Sequence, residues 1–161
     1  HILIRKFQFM SGVLKLKYKP LIGQTIPDLE SFAESQGEKP FRGRQLFDWI
    51  YRQQVDDVSA MTDLSKPFRE RLANVPIHPL KMITEDVSVS KQTHKILFEL
   101  LDGNLLESVL MKEGNRITVC LSTQVGCAVD CDFCATAKMG FIKNLTTGEI
   151  VDQFLQLQKM S

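Results

Sequence analysis

The chain has 161 residues, 43% hydrophobic and 24% charged, with a formal net charge of +1. This is the balance of an ordinary soluble globular protein, and it excludes a polyanion binder announced by charge alone. No apolar run approaches the ~20 residues that a membrane-spanning helix requires.

The opening His1–Phe7 lacks the ordered charged, apolar and small-residue regions of a secretory signal. The expected location is therefore the cytoplasm, where thiols stay reduced and available to metal. The first Met is Met10, so residues 1–9 read as a non-native leader, either an upstream extension or a cloning remnant. Met160-Ser161 fall inside what reads as a helix, and both ends read as cut.

Residues 10–80 read as a small helical domain. Pro27 suits the first turn of a helix over 27–36, with Leu29, Phe32 and Ala33 on one face and Gly37 as the stop. A helix over Arg42–Gln53 puts Leu46, Phe47, Ile50 and Tyr51 on an apolar stripe with Trp49 at its edge. Arg42, Arg44 and Arg52 lie on or beside the opposite face. A third helix is expected over 66–73, capped by Ser65, with Pro67 in its first turn. Asn74–Pro79 carries two prolines and reads as a linker. Lys15, Lys17, Lys19, Arg42 and Arg44 could touch phosphate, although such a charge group is more often just a solvated face. The Leu46–Tyr51 group reads as core rather than as a base-stacking surface.

From residue 81 the hydrophobic period changes to two. Strands are expected over 81–89, 93–101, 105–111 and 116–121. The turns Ser90-Lys91-Gln92, Asp102-Gly103-Asn104 and Glu113-Gly114-Asn115 suggest antiparallel hairpins. A cysteine-bearing loop then runs to Asn144-Leu145. A helix begins at Thr146, where Glu149 three residues on completes a capping box. Its predicted apolar face is Ile150, Val151, Phe154 and Leu157. Strand, loop and amphipathic helix together form the opening unit of a β/α barrel, whose chemistry sits on loops at the C-terminal ends of strands. The fold class is α/β.

Cys127, Cys131 and Cys134 fall within eight residues, as C-x3-C-x2-C. Soft thiolates select iron–sulfur clusters, zinc or copper(I). A cubane cluster wants one ligand for each of four irons, so three thiolates leave one iron open. Structural zinc prefers two separated ligand pairs, but Cys120 could complete a four-cysteine knuckle. A disulfide is disfavoured without a secretory signal. The spacing favours iron–sulfur and leaves zinc open.

The run Cys120-Leu121-Ser122-Thr123-Gln124-Val125-Gly126-Cys127, then Cys131-Asp132-Phe133-Cys134-Ala135-Thr136-Ala137 and Gly140-Phe141-Ile142-Lys143-Asn144-Leu145-Thr146, is far more specific than a spacing. It closely resembles the radical S-adenosylmethionine (SAM) RNA adenine-C2 methyltransferases. Pro40-Phe41-Arg42, Gln45–Tyr51 and Met61–Lys66 resemble their N-terminal accessory domain, so the likeness covers roughly residues 20–161. It implies a helical accessory domain, a β-hairpin region over 81–161 and the start of a partial radical SAM barrel.

Further implications fall on single residues. Cys127, Cys131 and Cys134 match the ligands of a [4Fe–4S] cluster whose open iron holds SAM by its amino and carboxylate groups. Phe133 matches the aromatic near SAM, though loop packing would also explain it. Cys120 matches the catalytic, non-ligand cysteine that resolves a covalent RNA–enzyme link by forming a disulfide; a buried strand cysteine is the plainer alternative. Glu107 matches a proton acceptor, a role that apolar surroundings would suit, and a solvent-facing strand residue is its alternative. His78 and His94 match nothing catalytic and read as structural or surface.

The implied substrates are 23S rRNA and tRNA. The implied electron donor is a flavodoxin or ferredoxin, and a monomer is expected. The family carries its methyl on a further cysteine near the C-terminus of a chain about twice as long. All four cysteines here are already assigned, so the 161 residues alone are expected not to turn over. Val125 favours C2 over the C8-methylating sister group. A zinc-stabilised RNA-binding module without catalysis is the alternative from another class.

Overall fold

The computed structural model describes residues 18–128 and 140–161. Lys15, Lys17, Cys131, Phe133 and Cys134 lie outside the described residues.

Helix α1 (Ile26–Ser35) starts one residue before Pro27, because Thr25 caps it. The Thr25 hydroxyl accepts the Asp28 N–H, and the Asp28 carboxylate accepts the Thr25 N–H at 2.9 Å. Helix α2 (Phe41–Phe47) continues into a π-helical turn over Asp48–Arg52. The expected helix thus has the right extent but not one pitch. Three consecutive side chains of the wide turn are tied to different places. Trp49 Nε1 donates to Asp63, Ile50 enters the core, and the Tyr51 hydroxyl accepts the Gly23 N–H at 2.7 Å. A short 3-10 turn, Val58–Ala60, precedes α3 (Lys66–Leu72), which Ser65 caps as expected.

These elements enclose a core of Leu21, Leu29, Leu46, Ile50, Met61, Phe68 and Leu72, all essentially buried. The α1 and α2 backbones touch at Gly43, where an added Cβ would stand 2.3 Å from the Glu30 nitrogen. Residues 74–79 are more than a linker. Val75 and Ile77 are buried, and the Leu21 and Ile22 N–H groups donate to Pro76 and Ile77 at 2.9 and 3.0 Å.

Strands β1 (Leu80–Val87), β2 (Thr93–Leu100), β3 (Leu105–Glu113) and β4 (Arg116–Cys120) form an antiparallel meander in that order. One face buries Ile96, Phe98, Leu100, Leu106, Ser108 and Leu110, while the other is open. Among the described residues every strand pair is antiparallel, so β4 meets β3 alone and no barrel pairing is present. The stretch after Cys120, expected as one loop, contains two short paired strands, β5 (Gln124–Gly126) and β6 (Phe141–Asn144).

Helix α4 (Thr147–Lys159) begins with the Thr146–Glu149 capping box. Its inner face differs from expectation. Leu155 and Leu157 are buried but Phe154 is 44% exposed, while Asp152 and Gln153 are completely buried and Glu149 nearly so. The physical reason lies in their partners. Asp152 accepts from His78 Nδ1 at 2.6 Å and from the Leu80 N–H at 3.1 Å, where the chain enters β1.

His78 Nε2 in turn faces Asp56 at 2.9 Å, and Asp56 also takes Lys159. Burial alone would discharge His78. The Asp152 hydrogen bond and the two carboxylates outweigh it and hold the imidazole pKa above its ordinary value.

Two tests follow from this packing. Gly43→Ala should cost about 2 kcal/mol by forcing α1 and α2 apart, lowering the melting temperature by about 5 °C. For His78, a raised folded-state pKa gives stability fully present below the unfolded value near ~6.5 and lost as pH rises through the folded value. Urea titrations from about pH 6 to 9 should show that decline in the wild type, and His78→Gln should flatten it.

Candidate functional site

Cys120 ends β4, is exposed, and stands opposite Val109 of β3. Opposite residues of an antiparallel pair share a face, and diagonal neighbours lie about 7 Å apart. Glu107, two residues before Val109, therefore shares the open face of the sheet with Cys120. Lys95 is opposite Val109 on the other side, and its Nζ lies 3.1 Å from Glu107 Oε1. Cys120, Val109 and Lys95 form a row across three strands with Glu107 beside it. The surroundings of Glu107 differ from the apolar setting expected. Leu97 stands opposite it and Leu105 and Met111 share the face, yet its side chain is 55% exposed and ion-paired.

Cys127 follows β5 and is half-buried. Its N–H donates to the Gly140 carbonyl at 3.1 Å, and Leu145 N–H donates to Thr123 at 2.9 Å. Between these, Gln124 pairs with Asn144, Val125 with Lys143 and Gly126 with Phe141. Gly126 has φ +74°, and a Cβ there would come within 1.8 Å of the Gly140 oxygen. Only glycine permits so close an approach at that φ. The two ends of the stretch carrying Cys131 and Cys134 are thus held together at a narrow neck. Among the described residues no three His, Cys, Asp or Glu side chains come together as a metal-binding group. A thiolate at such a neck, as Cys127 offers, is a soft ligand of the kind that sulfur-ligated metals select.

The neck is braced from below. Lys143 Nζ bonds to Asp102 in the β2–β3 turn and to Glu149 of α4 at 2.9 Å. Burial disfavours its charge, but the bonds to Asp102 and Glu149 prevail and raise its pKa. Sequence reasoning gave Lys143 and Lys95 no role, since a single basic residue in a strand carries no signal of its partner. It also passed over Gln153. The polar series Glu149, Asp152, Gln153, Gln156 has the i, i+3, i+4, i+7 spacing of one helix face and could have revealed it.

Three arginines of the helical part are already engaged. Arg44 pairs with Glu30 at 2.7 Å, Arg42 donates to Gln45 and to the Asp63 carbonyl, and Arg52 pairs with Asp48. His94 pairs with Glu85 on the sheet and His78 belongs to the Asp152 cluster, so both are structural. No helix among the described residues is long and apolar enough to cross a membrane.

Residues 20–77 match the family model described as the ribosomal RNA large subunit methyltransferase N-terminal domain. Over 141 residues the chain is 41% identical to a probable dual-specificity RNA methyltransferase RlmN from Synechocystis, covering 87% of this chain and 40% of that protein. A protein of the same description from Thermotoga neapolitana is 44% identical over 142 residues, covering 88% and 41%. The crystal structure of a radical SAM methyltransferase from Sphaerobacter thermophilus superposes with a TM-score of 0.81 at 43% identity, over 88% of this chain and 42% of that one. The chain is similar to part of these RNA methyltransferases and of this radical SAM methyltransferase. It spans about 40% of the length of the relatives it matches. The mixed helix-and-sheet fold is theirs as well.

Gly126→Ala should open the neck. Hydrogen exchange at the Cys127 and Leu145 amides is expected to accelerate at least tenfold, equivalent to about 1.4 kcal/mol of lost protection, while amides of α1 and α3 keep theirs.

Proposed function

We propose that this chain supplies the accessory domain (residues 10–80) and the opening of the catalytic core (residues 81–161) of a radical SAM methyltransferase. The proposed reaction is methylation of C2 of adenosine in 23S rRNA and tRNA. The observation that carries this is the Cys127 neck. The strand that ends in Cys120 continues, after three residues, into the closed base of the C-x3-C-x2-C stretch. The reading is supported by the order of the chain, in which the C-x3-C-x2-C stretch follows the strand that ends in Cys120, and by 41–44% identity to probable RNA methyltransferases.

In this reading Cys127, Cys131 and Cys134 hold a [4Fe–4S] cluster, and Phe133 lies beside SAM. When bound, cluster and SAM supply the one-electron chemistry that C2 of adenine, which is no nucleophile, demands. The residues of the chain do the proton and thiol work. Glu107 accepts the proton that leaves C2, with the Lys95 ammonium 3.1 Å away holding the carboxylate in place. Cys120 resolves the covalent RNA–enzyme link from the same face, where it is exposed and open to approach. The electron arrives from a flavodoxin or ferredoxin, and the protein acts as a monomer in the cytoplasm.

Anaerobic reconstitution with iron and sulfide in competition with zinc is the deciding experiment. About four irons per chain, with a spectral change on adding SAM, is the expected result, and Cys127→Ala should lose most of that iron. One zinc and no sulfide would make the thiols a structural knuckle. In the whole protein, Glu107→Gln should slow turnover by roughly 10²–10⁴ with RNA affinity nearly unchanged. Mass spectrometry of the product RNA should show 2-methyladenosine, and 8-methyladenosine would overturn the assignment to C2.

A further inference from the structure

Gln153 takes no part in the chemistry proposed above, yet it is completely buried at the centre of α4. A buried amide is costly unless its polar atoms are bonded, and a leucine would fill the space without that cost. Here all four hydrogen-bonding positions of the amide are used. Oε1 accepts from the Ser108 hydroxyl at 2.7 Å and from the Ser122 N–H at 2.8 Å. Nε2 donates to the Ser122 carbonyl and to the Glu149 carbonyl, both at 3.0 Å. The amide thus engages both backbone groups of Ser122, as a neighbouring strand would.

The place where this happens matters. The β3–β4 ladder ends at the pair Val109 and Cys120. Two positions further on, Glu107 and Ser122 would face each other, but the regular ladder has stopped. Instead the Ser122 hydroxyl donates to the Glu107 carbonyl at 2.6 Å. Gln153, reaching through from the other side of the sheet, fixes Ser122 and the residue next to Glu107. Glu107 and Cys120 are therefore both anchored within two residues by a single side chain.

We propose that Gln153 is the positioning residue of the site, setting the separation of Glu107 and Cys120 from behind the sheet. The proposal rests on the reading of those two as the catalytic carboxylate and thiol.

The test uses the whole protein, reconstituted with iron and sulfide, and compares Gln153→Leu, Ser108→Ala and Ser122→Ala with the wild type. Gln153→Leu is expected to lower kcat ~10- to 100-fold, with KM for RNA within about threefold and iron content unchanged, because sub-ångström to 1 Å displacements cost that much. Ser108→Ala and Ser122→Ala, each removing one bond, should show smaller losses of about two- to fivefold. A second readout needs no turnover. The rate at which iodoacetamide alkylates Cys120, mapped by mass spectrometry, should change severalfold in Gln153→Leu. A lower melting temperature with wild-type kcat and alkylation rate in the folded protein would reduce Gln153 to a packing residue and overturn the proposal. If Gln153→Leu fails to fold, Ser108→Ala decides, because it removes a bond to Gln153 whereas Ser122→Ala leaves the Gln153 bonds to the Ser122 backbone in place: a kcat loss with a changed alkylation rate supports the positioning role, and wild-type values of both refute it. Glu107→Gln and Cys120→Ser serve as controls for the underlying reading. Should both keep full turnover, the catalytic assignment is what fails, and the alkylation rate alone then judges the placement.

Discussion

Asp152 and Gln153 sit side by side on α4, completely buried, and each spends its polar atoms on backbone that no regular element satisfies. Asp152 takes the Leu80 N–H at the entry to β1, and Gln153 takes both backbone groups of Ser122 beyond the end of β4. One turn earlier Glu149 closes the helix cap and holds Lys143 at the cysteine neck. A single polar face thus joins three places where the chain changes direction. Unpaired, each of these groups would cost on the order of 1–3 kcal/mol. Paired, they fix the helix along its axis, which apolar packing alone specifies poorly.

The same face joins the two cores. Leu155 belongs to the cluster formed with the first three helices, whereas Leu157 packs with the sheet. Between them His78 bridges Asp152 of α4 and Asp56 of the helical part. The angle between helices and sheet is consequently set by polar geometry, with apolar burial supplying the bulk of the attraction.

Local rules were legible where one element obeyed one rule. Ser65 and the Thr146–Glu149 box marked helix starts to within a residue. The alternation of Ile96, Phe98 and Leu100 marked β2 and its buried face. Even the sharing of a face by Glu107 and Cys120 was latent in the sequence. The two-residue turn Gly114-Asn115 pairs Glu113 with Arg116, and counting back brings Val109 to Cys120. What stayed hidden depends on partners distant in the chain. Strands β5 and β6 are too short to display a period of two. The π-helical turn at Asp48 reflects where Trp49 and Tyr51 find partners, not any local propensity. The inward polar residues of α4 went unread because nothing nearby in sequence announced Ser108, Ser122 or His78 as their mates. Cys131 and Cys134 came from their spacing with Cys127 and from motif resemblance, and Phe133 from resemblance alone.

The closed neck at Gly126 and Gly140 also bears on maintenance. Its bonds include backbone pairs and the side-chain bond of Gln124 with Asn144. The entropy of bringing the ends of the loop together is therefore settled by folding and not charged to the incoming metal. On the proposed reading, a centre destroyed by oxygen leaves the neck closed, and rebuilding it is a matter of resupply rather than of bringing the ends together again.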